Sequence, residues 1–274
     1  MQEKRLSWGK DSNMKRIACL GDSCVDRYDT GEVFPGGNPV NVAVYINRLG
    51  GAASFIGAVG SDAYAELLLT PLAQKGIDVS HVQRLSGSTP ISYVEIQNGN
   101  RVFVDYDTGV MTDYVPSDDD IAFACAHDLV VSDIWGHAEP ALERIHAAGV
   151  PVAYDCADLP FDPVSLSALP FVDIAFFSDD AVDEQGIREE ILRVASYGPK
   201  TVIAMRGASG SIAYDGTDFY PCAAVQCEVV DTLGAGDSFI AGFLFEYVRH
   251  APILNCMRTG ARNASITIGY RGAW

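Results

Sequence analysis

Short apolar, β-rich runs alternate with runs of helical periodicity along most of the chain, and this alternation constrains the fold more than any other feature. The first run, Arg16–Gly21, predicts a buried strand because most of its residues are apolar. The run that begins at Asn38 carries Val42, Tyr45 and Ile46 at the spacing of one helix face. Such alternation is typical of a mostly parallel sheet that is covered by helices on both faces.

The same periodicities predict further elements along the chain. Strands are predicted at residues 54–59, 128–133, 151–155, 172–177, 200–205, 211–214 and 218–221. Helices are predicted at residues 63–74, 138–148, 163–169, 181–196, 235–249 and 253–269. Two alternating strands, 91–96 and 101–106, flank Asn98-Gly99, a pair that favours the positive φ angles of a hairpin turn. With residues 27–34, this hairpin predicts a small accessory sheet.

Composition excludes several function classes. The chain has 36 acidic and 19 basic residues, a formal net charge of −17. We therefore expect neither a nucleic-acid groove nor attraction to anionic lipid. Because no run of 18 apolar residues occurs, no membrane span is expected. Residues 1–14 are polar, lack the apolar core of a secretory signal, and predict a mobile N-terminal extension.

The cysteines predict the compartment. Their number is seven, which is odd, and they form no C-x-x-C pair. Cys19 and Cys156 lie within apolar runs, as buried free thiols do. The sequence therefore predicts reduced cysteines and a cytoplasmic location.

The segment most informative for function is Asp231–Phe239, with the sequence DTLGAGDSF. Gly234 and Gly236 stand just before a helical run, where glycine allows a sharp turn. The unpaired N–H groups of a helix start, together with the helix dipole, favour an anion. Asp237 falls in the first turn of that helix. Its carboxylate fits two roles, an ordinary helix-start residue or a general base beside a bound phosphoryl group.

Two other loops carry polar side chains that suit a sugar. Asn38 and Asn41 stand three residues apart at a helix start, so they share one face. Their amides can donate to and accept from hydroxyl groups, although Asn38 also fits ordinary helix capping. Asp22 and Asp26 follow the first strand, and open α/β sheets bind ligands beyond the carboxyl ends of their strands. The alternative for these two acids is a solvated loop.

Three segments together resemble the signatures of the ribokinase-like (PfkB) family of carbohydrate kinases. Residues 231–239 resemble its C-terminal signature, residues 36–43 its N-terminal signature, and residues 206–211 its Gly-x-x-Gly nucleotide loop. They occur in the family's order and spacing, within a domain expected at residues 15–274. The resemblance implies an α/β fold, a three-layer α/β/α sandwich. A small β-sheet lid would come from residues 27–35 and 90–110.

The resemblance also implies a reaction. ATP, with Mg²⁺, would donate its γ-phosphoryl group to a sugar hydroxyl, and Asp237 would accept the hydroxyl proton. The backbone N–H groups of Gly234, Ala235 and Gly236 would hold the developing charge. The implied sugar-binding residues are Asp22, Asp26, Gly36, Gly37, Asn38 and Asn41. His137 fits two roles, a substrate contact beside Trp135 or a helix-start residue. The implied nucleotide-binding residues are Gly207, Gly210 and Asn263. Arg206 departs from the family's usual residue and fits two roles, a phosphate contact or a solvated side chain. Asp231 is implied as a ligand of a monovalent cation such as K⁺.

Shorter segments narrow the expected substrate. The stretches GDSCVD, NRVFVDYDTGVM, IWGHAE and RGAW resemble the branch of the family that phosphorylates C6 of a fructosamine, a fructose unit joined to an amino acid. On that basis Asp22 is expected to pair with the secondary ammonium of the substrate. A fructokinase or other ketose kinase is one alternative. A non-catalytic sugar-binding protein on the same scaffold is another.

The expected Mg²⁺ site departs from the family's pattern. The family's Asn-x-x-Glu is replaced here by residues 178–181, SDDA. Asp179, Asp180 and Glu184 are the alternatives, because Mg²⁺ prefers oxygen ligands and keeps several waters. A homodimer through the lid sheet is also expected, since an exposed sheet face favours burial.

Overall fold

The β-rich runs form two separate sheets in the computed structural model, which describes residues 14–97, 100–180 and 183–274. The strands are β1 (Arg16–Gly21), β2 (Cys24–Tyr28), β3 (Val33–Gly36), β4 (Ala52–Val59), β5 (Asp78–Arg84), β6 (Ile91–Gln97), β7 (Asn100–Asp107), β8 (Leu129–Asp133), β9 (Val152–Asp155), β10 (Ile174–Ser178), β11 (Thr201–Met205), β12 (Ser211–Tyr214) and β13 (Phe219–Cys222). The helices are α1 (Asn38–Arg48), α2 (Ala63–Gln74), α3 (Asp118–Ala124), α4 (Glu139–Ala147), α5 (Pro163–Ala168), α6 (Glu184–Ala195), α7 (Ala235–Tyr247) and α8 (Ile253–Thr267).

The larger sheet has nine strands in the order β13-β12-β11-β10-β9-β8-β1-β4-β5. All neighbours from β11 to β5 are parallel, and β12 and β13 continue the sheet antiparallel. Successive residues of β1 point to opposite faces, as in any strand. Ile17 and Cys19 therefore join one buried cluster, with α1, α7 and α8, while Ala18 and Leu20 join the other, with α4, α5 and α6. The expected three-layer α/β/α sandwich is confirmed.

The smaller sheet has the order β3-β2-β6-β7. Strands β2 and β6 are parallel, and the two outer strands pair antiparallel with them. We call this sheet the lid. It occupies the part of the chain in which residues 27–35 and 90–110 were expected to form one. The predicted turn residues Asn98 and Gly99, and the predicted extension at residues 1–14 except Met14, lie outside the described residues.

Two elements show where periodicity is a poor guide. Strand β5 is not predicted, because its sequence DVSHVQR is mostly polar and it pairs only with β4 at the sheet edge. Helix α3 begins at an acidic run, Asp118-Asp119-Asp120, which favours a helix start because carboxylates are stabilised by the positive end of the helix dipole. Ser117 accepts a hydrogen bond from the Asp120 backbone while the Asp120 carboxylate accepts one from the Ser117 backbone, a capping box. No helix within the described part of the chain combines the length and apolar character that crossing a bilayer requires.

Candidate active site

Two cavities meet at the carboxyl ends of the parallel strands. The first, of about 710 Å³, lies beneath the lid and is lined by residues of β2, β7 and the starts of α1 and α7. The second, of about 560 Å³, lies between the loops after β11 and β13 and helices α7 and α8. We call them the lid cavity and the helix cavity. Both are lined by Asp158, Ser178, Met205 and Gly236, so two ligands bound there would meet end to end.

Asp237 lines the lid cavity next to this junction, and two amides hold its carboxylate. Asn38 Nδ2 donates to Asp237 Oδ1 at 2.7 Å, and Asn41 Nδ2 donates to Asp237 Oδ2 at 2.7 Å. Asn38 Nδ2 also donates to Asp155 Oδ2 at 2.8 Å. Because α1 places residues 38 and 41 on one face, the two amides reach the two oxygens of one carboxylate.

The backbone before Asp237 is possible because of glycine. Gly234 caps α7 with φ of +72°, a left-handed conformation that side chains rarely adopt. A Cβ added at Gly234 would collide with the Tyr45 hydroxyl, which itself donates to the backbone carbonyl of Ala273. The helix start that follows lines the cavities: Ala235 and Gly236 line the helix cavity, and Gly236 also lines the lid cavity. The N-terminus of a helix is a site where anions are stabilised.

The electrostatics of the site favour a base that works near neutral pH. Burial raises the pKa of Asp237 to about 7; the hydrogen bonds from Asn41 and Asn38 oppose the shift, and the charge of Asp155 adds to it. Burial likewise raises the pKa of Asp155 to about 6. A carboxylate whose pKa lies near the working pH is effective in proton transfer.

A hydrogen bond joins the lid to the loop after β1. The Tyr106 hydroxyl, on β7, donates to Asp22 Oδ1 at 2.8 Å. Asp26, on β2, is buried and lines the same cavity. A Cβ at Gly36 would lie 2.7 Å from Asp26 Oδ2, so only glycine allows β3 to approach that carboxylate. Lid closure over this cavity would exclude water from a bound ligand.

Comparison with known proteins gives these observations a context. The family model described as pfkB family carbohydrate kinase matches residues 11–274. The chain belongs to the pfkB family of carbohydrate kinases. It is 42% identical to a fructoselysine 6-kinase of Shigella flexneri, over 95% of this chain and all of the relative. It is 35% identical to a fructosamine kinase of Bacillus subtilis, over 95% of this chain and 93% of the relative. A solved structure of Arabidopsis thaliana ribokinase with ribose and ATP aligns with a TM-score of 0.84 at 21% identity, covering 94% of each chain.

In this pfkB-family chain the structure brings most of the predicted sugar-site residues to one cavity. The residues of the sequence-based set that line the lid cavity are Asp22, Asp26, Gly37, Asn38, Asn41, Gly236 and Asp237. His137 does not line either cavity; it is exposed and has a left-handed backbone with φ of +51°. Its neighbour Trp135 lines the lid cavity instead.

The predicted nucleotide residues divide in the same way. Gly207 and Gly210 line the helix cavity. Arg206 does not; its backbone N–H donates to the Gly210 carbonyl at 2.8 Å and closes the loop between them. Asn263 faces the protein interior, where its Nδ2 donates to the Ser238 carbonyl at 2.7 Å and its Oδ1 accepts from Arg48 at 3.1 Å. The Asn263 side chain therefore braces α8 against α7 and α1, and it does not line the helix cavity.

The carboxylates that could hold a cation fall into two groups. Asp231 bridges two loops, because its oxygens accept from the backbone N–H groups of Leu233 at 3.0 Å and Gly272 at 2.7 Å. Asp179 and Asp180 line the helix cavity, whereas Glu184 pairs with Arg188 on the surface. Across residues 14–97, 100–180 and 183–274, no cluster of three or more His, Cys, Asp or Glu side chains suits direct metal binding. The donors nevertheless fit Mg²⁺, which usually keeps several waters and takes one or two carboxylates beside a phosphate.

Several cavity residues were absent from the sequence-based set. Asp133 and Asp155 are the last residues of β8 and β9 and line the lid cavity. The rule that ligands bind at the carboxyl ends of parallel strands could have found them. Trp274 is different: its indole N–H donates to Asn41 Oδ1 at 2.8 Å, from 233 residues away in sequence. No local pattern signals such a contact.

Proposed function

We propose that this protein transfers the γ-phosphoryl group of ATP to the C6 hydroxyl of a fructosamine, a fructose unit joined through C1 to an amino acid. The observation that carries the proposal is the Asp237 carboxylate, held by Asn38 and Asn41 beside the junction of two cavities. The relatives supply the substrate class, because fructoselysine and fructosamine kinases match nearly the whole chain.

In this mechanism the sugar occupies the lid cavity with its C6 hydroxyl at Asp237. As the hydroxyl oxygen attacks the γ-phosphorus, the hydroxyl proton passes to the Asp237 carboxylate. The bond between the γ-phosphorus and the β,γ-bridging oxygen breaks, and ADP leaves. Asn38 and Asn41 can only donate through their Nδ2 atoms, so they keep both carboxylate oxygens oriented. General base catalysis of this kind typically contributes about 10²–10⁴-fold.

The helix cavity would take the nucleotide. Gly207 and Gly210 allow the backbone to approach it closely, and Ala235 and Gly236 of α7 would face its terminal phosphate. The positive end of the α7 dipole stabilises the charge that develops on the transferring group. Mg²⁺, which Asp179 and Asp180 would hold through water, neutralises phosphate charge when bound.

The test is an assay of ADP release with Mg-ATP and a panel of acceptors: ε-fructosyl-lysine, D-fructose and no sugar. A fructosamine kinase prefers the ketosamine, a fructokinase prefers fructose, and a non-catalytic protein shows no sugar-dependent release. Asp237→Ala should reduce kcat by about 10²–10⁴-fold while sugar binding, measured by calorimetry, stays largely intact. Asp119→Ala is the matched control, because that carboxylate is 91% exposed and lies away from both cavities. Undiminished turnover by Asp237→Ala would overturn the assignment of the base.

We also infer a reducing, cytoplasmic setting. The seven free cysteines support it, since extracellular proteins commonly join their cysteines in disulfides.

We also propose a dimer through the lid, because two apolar residues of β7 are exposed: Phe103 at 60% and Val104 at 46%. Sedimentation of the wild type and of a Phe103→Ser variant would test that dimer.

A monovalent cation near Asp231 is proposed as well. Comparing activity in a K⁺ salt with activity in the salt of a large organic cation would test it.

A further inference from the structure

The lid cavity is more acidic than a neutral sugar requires. Among its described lining residues none is lysine, arginine or histidine, whereas many are aspartate. These aspartates are Asp22, Asp26, Asp105, Asp133, Asp155, Asp158 and Asp237. A cleft lined by one sign of charge attracts ligands of the opposite sign. Phosphate does not explain this surplus, because it is anionic, and the carboxylates proposed for Mg²⁺, Asp179 and Asp180, line the helix cavity instead.

Asp133 is the member of this set that most clearly needs a ligand. It ends β8, its side chain is 1% exposed, and neither carboxylate oxygen makes a hydrogen bond of normal geometry with any described residue. Backbone closes in on Oδ1, since a Cβ at Gly21 or Gly136 would lie 2.9 or 2.8 Å from it. A buried carboxylate with so little hydrogen bonding is costly, and native proteins rarely leave one.

Asp22 shares the cavity with Asp133 and has one oxygen fixed by Tyr106. Burial raises the pKa of Asp133, and the negative charge of Asp22 raises it further, while the Trp135 backbone amide only partly opposes this. Burial raises the pKa of Asp22 to about 6. Two carboxylates that destabilise each other are stabilised together by a cation.

An aromatic surface completes this part of the cavity. Trp135 follows Asp133 by two residues, is 48% exposed, and lines the same space. Indole faces attract ammonium groups. Asp237 and Asp155 both accept hydrogen bonds from Asn38 at the place where phosphoryl transfer is proposed, so they are less suited to bind an amine.

We propose that Asp133 and Asp22 form a subsite for the protonated secondary amine at C1 of a fructosamine. The inference rests on the proposed function and names the residues that make the enzyme prefer a ketosamine to fructose. A secondary ammonium has two N–H donors, one for each carboxylate, and Trp135 covers its apolar side. The amine is present in the ketosamine and absent from fructose, so the pair acts on substrate choice rather than on the phosphoryl transfer itself.

The test compares kcat/KM for ε-fructosyl-lysine with kcat/KM for D-fructose in Asp133→Asn and Asp22→Asn. Each replacement keeps size and removes charge. We expect each variant to lose about 10–100-fold on the ketosamine, as for a charge-assisted hydrogen bond, and less than about 3-fold on fructose. Asp155→Asn is the matched control, because Asp155 lines the same cavity but contacts Asn38; its effect should be similar on both substrates.

A second measurement needs no variant. The wild type should bind 1-O-methyl-D-fructose, which has a neutral substituent at C1, at least about 10-fold more weakly than ε-fructosyl-lysine. Equal losses on both substrates in Asp133→Asn and Asp22→Asn, or equal binding of the charged and neutral C1 derivatives, would overturn the subsite while leaving a ketosamine kinase intact. A wild type without activity on any ketosamine would overturn the proposed function and the subsite together.

Discussion

Replacing Trp274 by phenylalanine removes one N–H donor from the active site and keeps an aromatic ring in place. The indole N–H donates to Asn41 Oδ1 at 2.8 Å, and Asn41 Nδ2 donates to Asp237 Oδ2 at 2.7 Å. Indole nitrogen only donates, so it admits a single orientation of the Asn41 amide, the one that presents Nδ2 to the base. Without that donor the amide is free to turn its oxygen toward the Asp237 carboxylate, which would repel it.

The expected fall in kcat/KM follows from these two linked hydrogen bonds. One neutral hydrogen bond contributes about 0.5–1.5 kcal/mol, so kcat/KM at pH 7 should fall about 2–13-fold. The hydrogen bond from Asn41 also lowers the pKa of Asp237 against the upward effect of burial. Weakening it raises that pKa above about 7, so more of the base is protonated at neutral pH. Much of the lost rate should therefore return above pH 8.

The assay is kcat/KM for the ketosamine between pH 5.5 and 9, with thermal melting of each variant. In the wild type kcat/KM should rise with pH through about 7, because Asp237 must lose its proton to act as a base. Lys75→Met is the matched control: the Lys75 ammonium lies 5.2 Å from the Trp274 ring centre, and its loss leaves the indole N–H in place. An unchanged pH midpoint in Trp274→Phe would refute the positioning role, even if the rate fell.

Two further predictions concern stability. The pKa of Asp155 is about 6 in the folded protein against an ordinary value of 3.8, so the folded state holds that proton more tightly, and the contribution of Asp155 to stability falls as pH rises from about 4 to 6. At pH 8, Asp155→Asn should raise the melting temperature and increase the free energy of unfolding by up to about 3 kcal/mol. At pH 4 it should leave both unchanged. An equal change at both pH values would contradict this prediction. Gly234→Ala should destabilise the fold by about 2 kcal/mol or more, because it needs φ of +72° and its Cβ meets Tyr45. A melting temperature equal to that of the wild type would show that the loop relaxes.

Local rules predicted much of the fold and part of the site. Strand β1 and helix α2 begin and end where the sequence pattern places them. A run of consecutive apolar residues and an i, i+3, i+4 pattern are both properties of neighbouring positions in the sequence. Local geometry also places Asn38 and Asn41 together in the lid cavity, since residues three apart are neighbours on a helix surface. Strand β5 was missed, because an edge strand with a polar face carries little apolar signal.

Two predicted site residues that line neither cavity, Asn263 and His137, show the limit of local rules. Asn263 lies on a helix next to the helix cavity, but its amide is turned inward to the Ser238 carbonyl and to Arg48. His137 follows Trp135 by two residues, but it has a left-handed backbone and is exposed, whereas Trp135 lines the lid cavity. In both cases the side-chain direction depends on packing against distant segments.

The sequence by itself determined the layered α/β architecture, the glycine turn before α7 and the carboxylate in its first turn, because each of these depends on residues within about one helical turn or one strand. Only the tertiary structure decided which distant groups meet that carboxylate. The order of the parallel strands brings Asp155 to Asn38 across 117 residues, and the chain end brings Trp274 to Asn41 across 233. Hydrogen bonds and charge repulsion act over a few ångströms of space and not over distance along the chain, so these partners, and the pKa of the base that they adjust, exist only in the folded protein.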